Sequence, residues 1–547
     1  MKKSSIYFPF IILFILISSI VLYQKRKAPT EKKVLKIALP TDVSTFHFAF
    51  NTSSSIINAS HIIPLLFEGL MRRGEDDIPQ KALAETVTIS EDGKEYVFLL
   101  KESFWSDGHP VTAYDFEYAW KRSIDPQSKV LTLSPYYYYP IKNAKLCMEG
   151  KVPIERVGVQ AINKKTLIVH LEYPSPYFLE IISSPMYLPA PKHIAEKDKN
   201  WIKKVNFVCN GPFTLTSWKC SEEIVLSNNE KYWDKSHVYL DQIRVFIIPD
   251  TRTVFNLFIK KELDWIGSPF QGISYDISYD LMDEWADDTT ISCVLINVEK
   301  YPLNNKKLRQ ALFYAIDREV ITDNVFHLSA VPTFSPLPLP LTLEKTSLPK
   351  PHVSYAKELF LEALEELELF PKDFPEITLS YVANVEIAGR IAQAIQDQWR
   401  KVLGIRNITL LSREYTTHYS CLTNKDFDLG LTNWTTFVFD PIFILNDFKD
   451  KTLPMNKTNW EHPRYKKLLD LSDHSLDQTK RQAFLKEAEE LLIDEVPLIP
   501  ISSLKKRFAK NPHLKGVILS KLQFVDFKSA YFDIESKKEV GFHEEFD

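Results

Sequence analysis

The sequence predicts an α/β protein built from more than one domain. Three observations predict it: the length, an alternation of strand and helix patterns along most of the chain, and a composition that folds throughout. At 547 residues the chain exceeds what a single hydrophobic core usually serves, so two or three domains are expected. Apolar residues make up 45% and charged residues 25%, as in ordinary globular proteins. No long like-charge run or low-complexity tract occurs, so disorder is expected only at the ends.

The N-terminus differs from the rest. MKKSS precedes IYFPFIILFILISSIVLY (6–23), an uncharged run of 18 apolar or small residues, and QKRKAPTEKK follows. A basic start before an apolar run reads as an export signal or as one uncleaved membrane anchor. The run is long for a signal core and short for a span. No A-x-A site follows it, and no cysteine near its end offers a lipoprotein cleavage site. Lys25, Arg26 and Lys27 sit on its far side, although positive flanks normally stay in the cytoplasm. Residues 1–33 carry seven basic residues and one acidic residue. Without them the balance is 60 basic to 70 acidic, a net of −10, which argues against nucleic-acid or anionic-membrane binding.

The elements follow in order. VLKIAL (34–39) reads as a strand, and IIPLLFEGLMRRG (62–74) as a short helix stopped by glycine. EYVFLLK (95–101), after the turn Asp92-Gly93, and TLIVHLE (166–172) read as strands. Prolines mark turns around an apolar helix in 173–191. FTLTSWK, EIVLSN and QIRVFIIP, within 207–265, read as strands returning to a sheet. TRTVFNLFIKKELDWI then fits a helix and a short strand. Strand TISCVLINV (290–298) leads to LNNKKLRQALFYAIDREVI. There Leu308, Ala311, Leu312, Ala315 and Ile316 keep helical spacing, and Asn304 or Asn305 caps the start. Six prolines in 331–352 make a long extended loop. Helix SYAKELFLEALEELELF, strand EITLSYV, helix VEIAGRIAQAIQDQWRKVLGI and strands NITLLS and FDLGLTN restore the alternation. Helix TKRQAFLKEAEELLIDE and the apolar VPLIPIS close the last third.

Catalytic signatures are missing. G-x-G-x-x-G, the Walker A loop, G-x-S-x-G and H-E-x-x-H do not occur, and 14 glycines are few for phosphate-cradling loops. Ser502 and Lys505 form one S-x-x-K without companion motifs, as chance supplies in a chain this long. The 13 histidines show no metal-ligand spacing, so no cofactor, catalytic residue or metal site is expected. The five cysteines contain no C-x-x-C pair. A Cys209–Cys220 disulfide or buried free thiols both fit. Aromatic residues reach 13%, densest in SPYYYYP (134–140) and NWTTFVFDP (433–441). Such clusters are core, or the lining of a cleft between domains.

WSDGHPVTAYDFEYAWKRSIDP (105–126) has a local logic: Asp107-Gly108 turns the chain, and Thr112 with Asp115 makes a capping box. As a string it closely resembles the signature of the family 5 solute-binding proteins, the extracytoplasmic oligopeptide- and dipeptide-binding components of ABC importers. LFEGL (66–70), NGPFTL (210–215), VLSNNEKYWD (225–234), LNNKKLRQALFYAIDREVI (303–321) and FDLGLTNW (427–434) match in the family's order. The resemblance covers about 34–535. It implies a bilobal periplasmic-binding-protein-like fold of type II, with mixed sheets in two lobes joined by hinge strands. Lobe I would comprise 34–65, 196–291 and 505–535, an inserted domain 66–195, and the third domain 292–504, leaving 536–547 as a tail.

The implied function is a monomeric, non-catalytic receptor at the cell envelope. It would hold a peptide in extended form between lobes and hand it to membrane permease subunits. A surface sensor or adhesin and a secreted hydrolase are the alternatives. The resemblance places Asn51–Ser55, including Ser53 and Ser54, and Asn433, Trp434 and Thr435 at the cleft. The family's amine-binding aspartate aligns with Phe437 here, which leaves Asp440 as the candidate substitute. The family's early L-D-P reads FHF (46–48), and ELD (262–264) has Lys261 where a glycine is usual. These departures imply a blocked, modified or cell-wall-derived peptide, or another ligand.

Overall fold

The computed structural model describes residues 33–43, 45–50, 59–74, 77–130, 135–270, 284–326, 329–343, 352–383, 385–436, 438–522 and 524–533. Three sheets organise them. In the first, Val34–Leu39 runs parallel to Gln242–Ile247, which pairs antiparallel with Glu223–Asn228 and then Phe213–Lys219. Period-2 alternation buries Leu35 and Ile37 on one strand and Ile243 and Val245 on its neighbour. In the second, Ala84–Ile89, Glu95–Leu100, Thr166–His170 and Val159–Ala161 lie side by side in that order as an antiparallel sheet. Helix Ala113–Ile124 belongs to this unit; it starts at the expected capping box and buries Phe116, Ala119 and Trp120.

The third sheet has seven strands. Trp265–Gly267, Leu498–Lys510, Glu284–Ile296, Leu429–Thr435, Ile377–Val382 and Ile408–Arg413 lie side by side, and Ala330–Pro332 pairs with Leu498–Lys510. Two of these strands, Glu284–Ile296 and Leu498–Lys510, are 13 residues long. At one end Leu498–Lys510 pairs with Trp265–Gly267, next to the first sheet: Asp264 N–H donates to the Lys36 carbonyl at 2.8 Å. At the other end Glu284–Ile296 pairs with Leu429–Thr435. Midway their mutual register breaks between Asp287 and Ile291 and again between Ser292 and Cys293. Such bulges bend and twist a strand pair. The long strands are the hinge between two lobes, with the bulges at its middle.

Most expected elements form. Helices Thr251–Ile259, Lys306–Tyr314, Val353–Glu366, Glu386–Leu403 and Gln478–Glu495 occupy the predicted segments, and Asn305 caps its helix through Leu308 N–H. One expectation is corrected, and other elements add to the reading. The helix expected over 62–74 stops after Ile63–Leu66, and Met71–Arg73 is a strand. Tertiary bonds claim the intervening backbone: the Asn210 side chain accepts from Glu68 N–H and donates to Glu68 C=O, both at 3.0 Å, while Gly211 N–H donates to Leu66 C=O at 2.9 Å. A Cβ on Gly211 would sit 2.4 Å from the Leu66 carbonyl carbon, so only glycine lets LFEGL and NGPFTL dock. VPLIPIS is part of the long strand Leu498–Lys510, and helices Tyr415–Thr423 and Pro463–Asp473 were not foreseen. Cys209 and Cys220 are unbonded, the first buried and the second exposed. No helix among the described residues is long and apolar enough to cross a membrane.

A partly buried ion network fastens the C-terminal segment to the strand Met71–Arg73. The Arg72 guanidinium donates to both Asp526 oxygens at 2.6 and 2.7 Å and to Glu68 at 3.1 Å, and Tyr232 also donates to Glu68. Arg72→Met would strand the buried Glu68 carboxylate and the partly buried Asp526 carboxylate. It is expected to lower unfolding free energy by about 3–5 kcal/mol, read by urea denaturation followed through tryptophan fluorescence; a loss below about 1 kcal/mol would mean the network does not hold this junction.

Candidate functional site

The site begins with a strand whose partners differ on its two edges. Leu429–Thr435 pairs with Glu284–Ile296 along its whole length, from Leu429↔Ile296 to Thr435↔Thr290. On the other edge Ile377–Val382 pairs only at Leu429 and Gly430, then continues beside Ile408–Arg413. In an antiparallel ladder alternate residues point both backbone groups to the same side. Thr436 N–H donates to Thr289 C=O, which sets the even positions toward the long strand. The odd positions Leu431, Asn433 and Thr435 therefore face the other way. His418 Nε2 bonds the Leu431 carbonyl at 3.1 Å. Among the described residues no strand pairs with Asn433 or Thr435 on that edge. Asn433 is exposed although its neighbours Thr432 and Trp434 are buried.

Beside this edge lies a cavity of about 270 Å³, lined among others by Asp288, Val385, Tyr415, Tyr419, Asn433 and Lys505. Asp288 comes from the hinge bulge, and Tyr415 and Tyr419 from the unforeseen helix, one turn apart with ring centroids at 4.6 Å. Val385 and Tyr415 expose apolar surface at its margin. A wall of mixed apolar and polar side chains beside a backbone edge is the kind of surface on which an extended ligand is held.

Buried charges support the strand from beneath. Trp434 is 4% exposed, and its indole N–H donates to Asp447 at 2.8 Å. Burial pushes the Asp447 carboxyl up to about 7, against the opposing pull of the indole and of Lys457. Lys457, lowered by burial, stands 5.2 Å from the Tyr419 ring centre and 5.9 Å from that of Trp434. Thr435 Oγ1 and Thr290 Oγ1 share a hydrogen bond of 2.9 Å across the ladder.

The predicted site residues divide accordingly. Asn433 reaches the cavity, and Thr435 shares its open edge. Trp434 lies beneath, as a buried support. Asp440 does not fit the role of amine acceptor. It is buried, and its Oδ1 takes Arg481 at 2.7 Å and Ile442 N–H at 3.0 Å. An aspartate two residues before a short helix is drawn into capping, and the Arg481 guanidinium neutralises it. Phe437, Ser53 and Ser54 lie outside the described residues. Sequence reasoning missed Asp288, Tyr415 and Tyr419; Tyr415 and Tyr419 at i, i+4 were a signal, though helix Tyr415–Thr423 is polar and only nine residues long.

The two lobes and the long strands that join them define the class, a bilobal binding protein. Residues 79–454 match the profile of the bacterial extracellular solute-binding proteins, family 5, and the chain belongs to that family. It is 35% identical to the oligopeptide-binding protein OppA of Bacillus subtilis, over 93% of this chain and 94% of the relative. It is 32% identical to the dipeptide-binding protein DppE of the same organism, over 85% and 86%. Among solved structures, a periplasmic oligopeptide-binding protein of Borrelia burgdorferi superposes with TM-score 0.75 at 27% identity, covering 92% of this chain and 100% of that one.

Asp447 sets a pH dependence. Its folded pKa lies above the ordinary 3.8, so the fold binds the proton more tightly than the unfolded chain does. Its stabilising share is complete below about pH 4 and is lost as pH rises through about 7. Glu489, raised to about 7 by burial, slopes the same way. Asp447→Asn keeps an acceptor for the indole. It is expected to flatten the decline of stability between pH 4 and 7 and to raise the melting temperature at pH 8, read by calorimetry across that range; an unchanged slope would place the ionised carboxylate in the fold.

Proposed function

We propose that this protein is an exported receptor that binds peptides in extended form and delivers them to membrane permease subunits. The open backbone edge at Asn433 and Thr435 carries the reading. An extended peptide adds to such an edge through its own N–H and C=O groups, whatever its side chains. Each bond nets about 1 kcal/mol, so a handful reaches micromolar affinity. The names of the relatives support peptides as the ligand class. No step of the reading calls for chemistry on the ligand, and the protein is a carrier, not an enzyme. The three-part division at 65/66, 195/196, 291/292 and 504/505 belongs to this reading, as does export through residues 6–23, whether cleaved or retained as an anchor.

The ligand's amino terminus is a second part of the proposal. With Asp440 committed to Arg481, the carboxylate among the described residues that line the cavity is Asp288, already an acceptor for Thr290 Oγ1, and a buried ammonium that finds no counter-charge costs several kcal/mol. A blocked, modified or cell-wall-derived peptide avoids that cost.

Native mass spectrometry of the purified protein is expected to show a retained peptide, and calorimetry with free and N-acetylated forms of it comparable affinity. Asn433→Pro removes one edge N–H while sparing the ladder to Glu284–Ile296. It is expected to weaken binding at least fivefold and to change stability by less than about 1 kcal/mol. Full affinity in this variant would remove the edge from the site. Cleaved peptides after incubation would replace the receptor reading with a hydrolase. A strong preference for free amino termini would bring a cleft carboxylate, Asp288 first, into contact with the ammonium.

A further inference from the structure

Far from the cleft in sequence and function, the second unit gathers three side chains that no peptide contact explains. Asp107 and His109 sit on the turn that Trp105 N–H closes onto His109 C=O at 2.8 Å, with Gly108 at φ +94°. His193 comes from the short helix Lys192–Ala195. Asp107 Oδ2 lies 2.8 Å from His193 Nε2 and 3.1 Å from His109 Nδ1. The two imidazoles stack with centroids 4.3 Å apart, and one ligand atom from each of the three residues falls within 4.8 Å of the others.

We propose that Asp107, His109 and His193 bind a divalent transition-metal ion, with Zn2+ as the best fit. Two imidazole nitrogens and one carboxylate oxygen are the donor types this ion takes, at about 2.0–2.2 Å each. Tetrahedral coordination at those lengths separates neighbouring donors by about 3.3 Å. The two oxygen–nitrogen separations, 2.8 and 3.1 Å, require a spread of a few tenths of an ångström, and the two imidazole nitrogens lie within 4.8 Å of each other. Oxygen-only ions such as Mg2+ or Ca2+ find too few oxygens here. Three protein donors leave the fourth position to water or to a group from outside.

The framework beneath is rigid, which favours a prepared site. The Asp115 carboxylate, 4% exposed, accepts from the Trp105 indole at 3.4 Å and from Lys192 N–H at 2.9 Å. One buried group therefore fixes both the turn that carries Asp107 and His109 and the helix that carries His193. Ser106 N–H donates to Cys209 C=O at 2.8 Å, and the Ser106 hydroxyl accepts from Cys209 N–H at 3.1 Å, pinning the turn from its other side. The donors themselves remain reachable: the side chains of Asp107, His109 and His193 are 25%, 62% and 30% exposed. A bound ion would clamp the turn to the helix across 84 residues of chain.

The test uses untagged full-length protein stripped with chelator, titrated with ZnCl2 alone near neutral pH by calorimetry. One ion per chain is expected to bind. His109→Ala and His193→Ala are each expected to weaken it tenfold or more, and His237→Ala, an exposed histidine beside Asp234, to leave it unchanged. Co2+ in place of Zn2+ is expected to give ligand-field absorption in the visible that both site variants abolish. Binding that survives His109→Ala and His193→Ala, or no heat at stoichiometric zinc, would overturn the proposal. Neither result touches the peptide reading, because the cluster lies outside the cleft.

Discussion

The structure depends on two strands that belong to both lobes. Glu284–Ile296 and Leu498–Lys510 share one ladder, yet their far ends pair with different neighbours, Trp265–Gly267 at one end and Leu429–Thr435 at the other. A two-strand connection resists stretching, because its hydrogen bonds add up along the ladder. It bends where the register already fails, between Asp287 and Cys293. Asp288, Thr289 and Thr290 occupy that break, and Asp288 also lines the cavity beside the open edge.

The cleft strand shows how an open edge is kept usable. Buried backbone groups need partners, and an unmanaged edge invites aggregation. Here Leu431 is closed by His418, while Asn433 stands beside a cavity walled by Tyr415, Tyr419 and Val385. Beneath it Trp434 is anchored by Asp447, and Lys457 lies across two aromatic faces. The strand end is thus anchored below, and among the described residues no strand pairs with its rim.

Local signals were legible where local chemistry decides. The Thr112–Asp115 capping box, the Asn305 cap, the alternation of Val34–Leu39 and the helical spacing around Leu308 all formed as read. Elements were missed where periodicity was weak or overridden. Helix Tyr415–Thr423 is short and polar, and its sequence carries no apolar stripe. Helix formation over 62–74 lost to Asn210 and Gly211, which arrive from more than 130 residues away in sequence.

The sequence by itself determined the class of fold, the order of most elements and, through ordered motifs, the family. These depend on spacing and residue type along the chain, which a linear reading sees. Only the tertiary structure decided the fate of single charges. Asp440 looks free until Arg481 meets it, and Cys209 and Cys220 look pairable until one is buried and the other exposed. Scattered histidines carry no ligand spacing until His193 is brought beside His109. A carboxylate, thiol or imidazole takes its role from what folding sets within a few ångströms of it, and those neighbours are rarely adjacent in the chain.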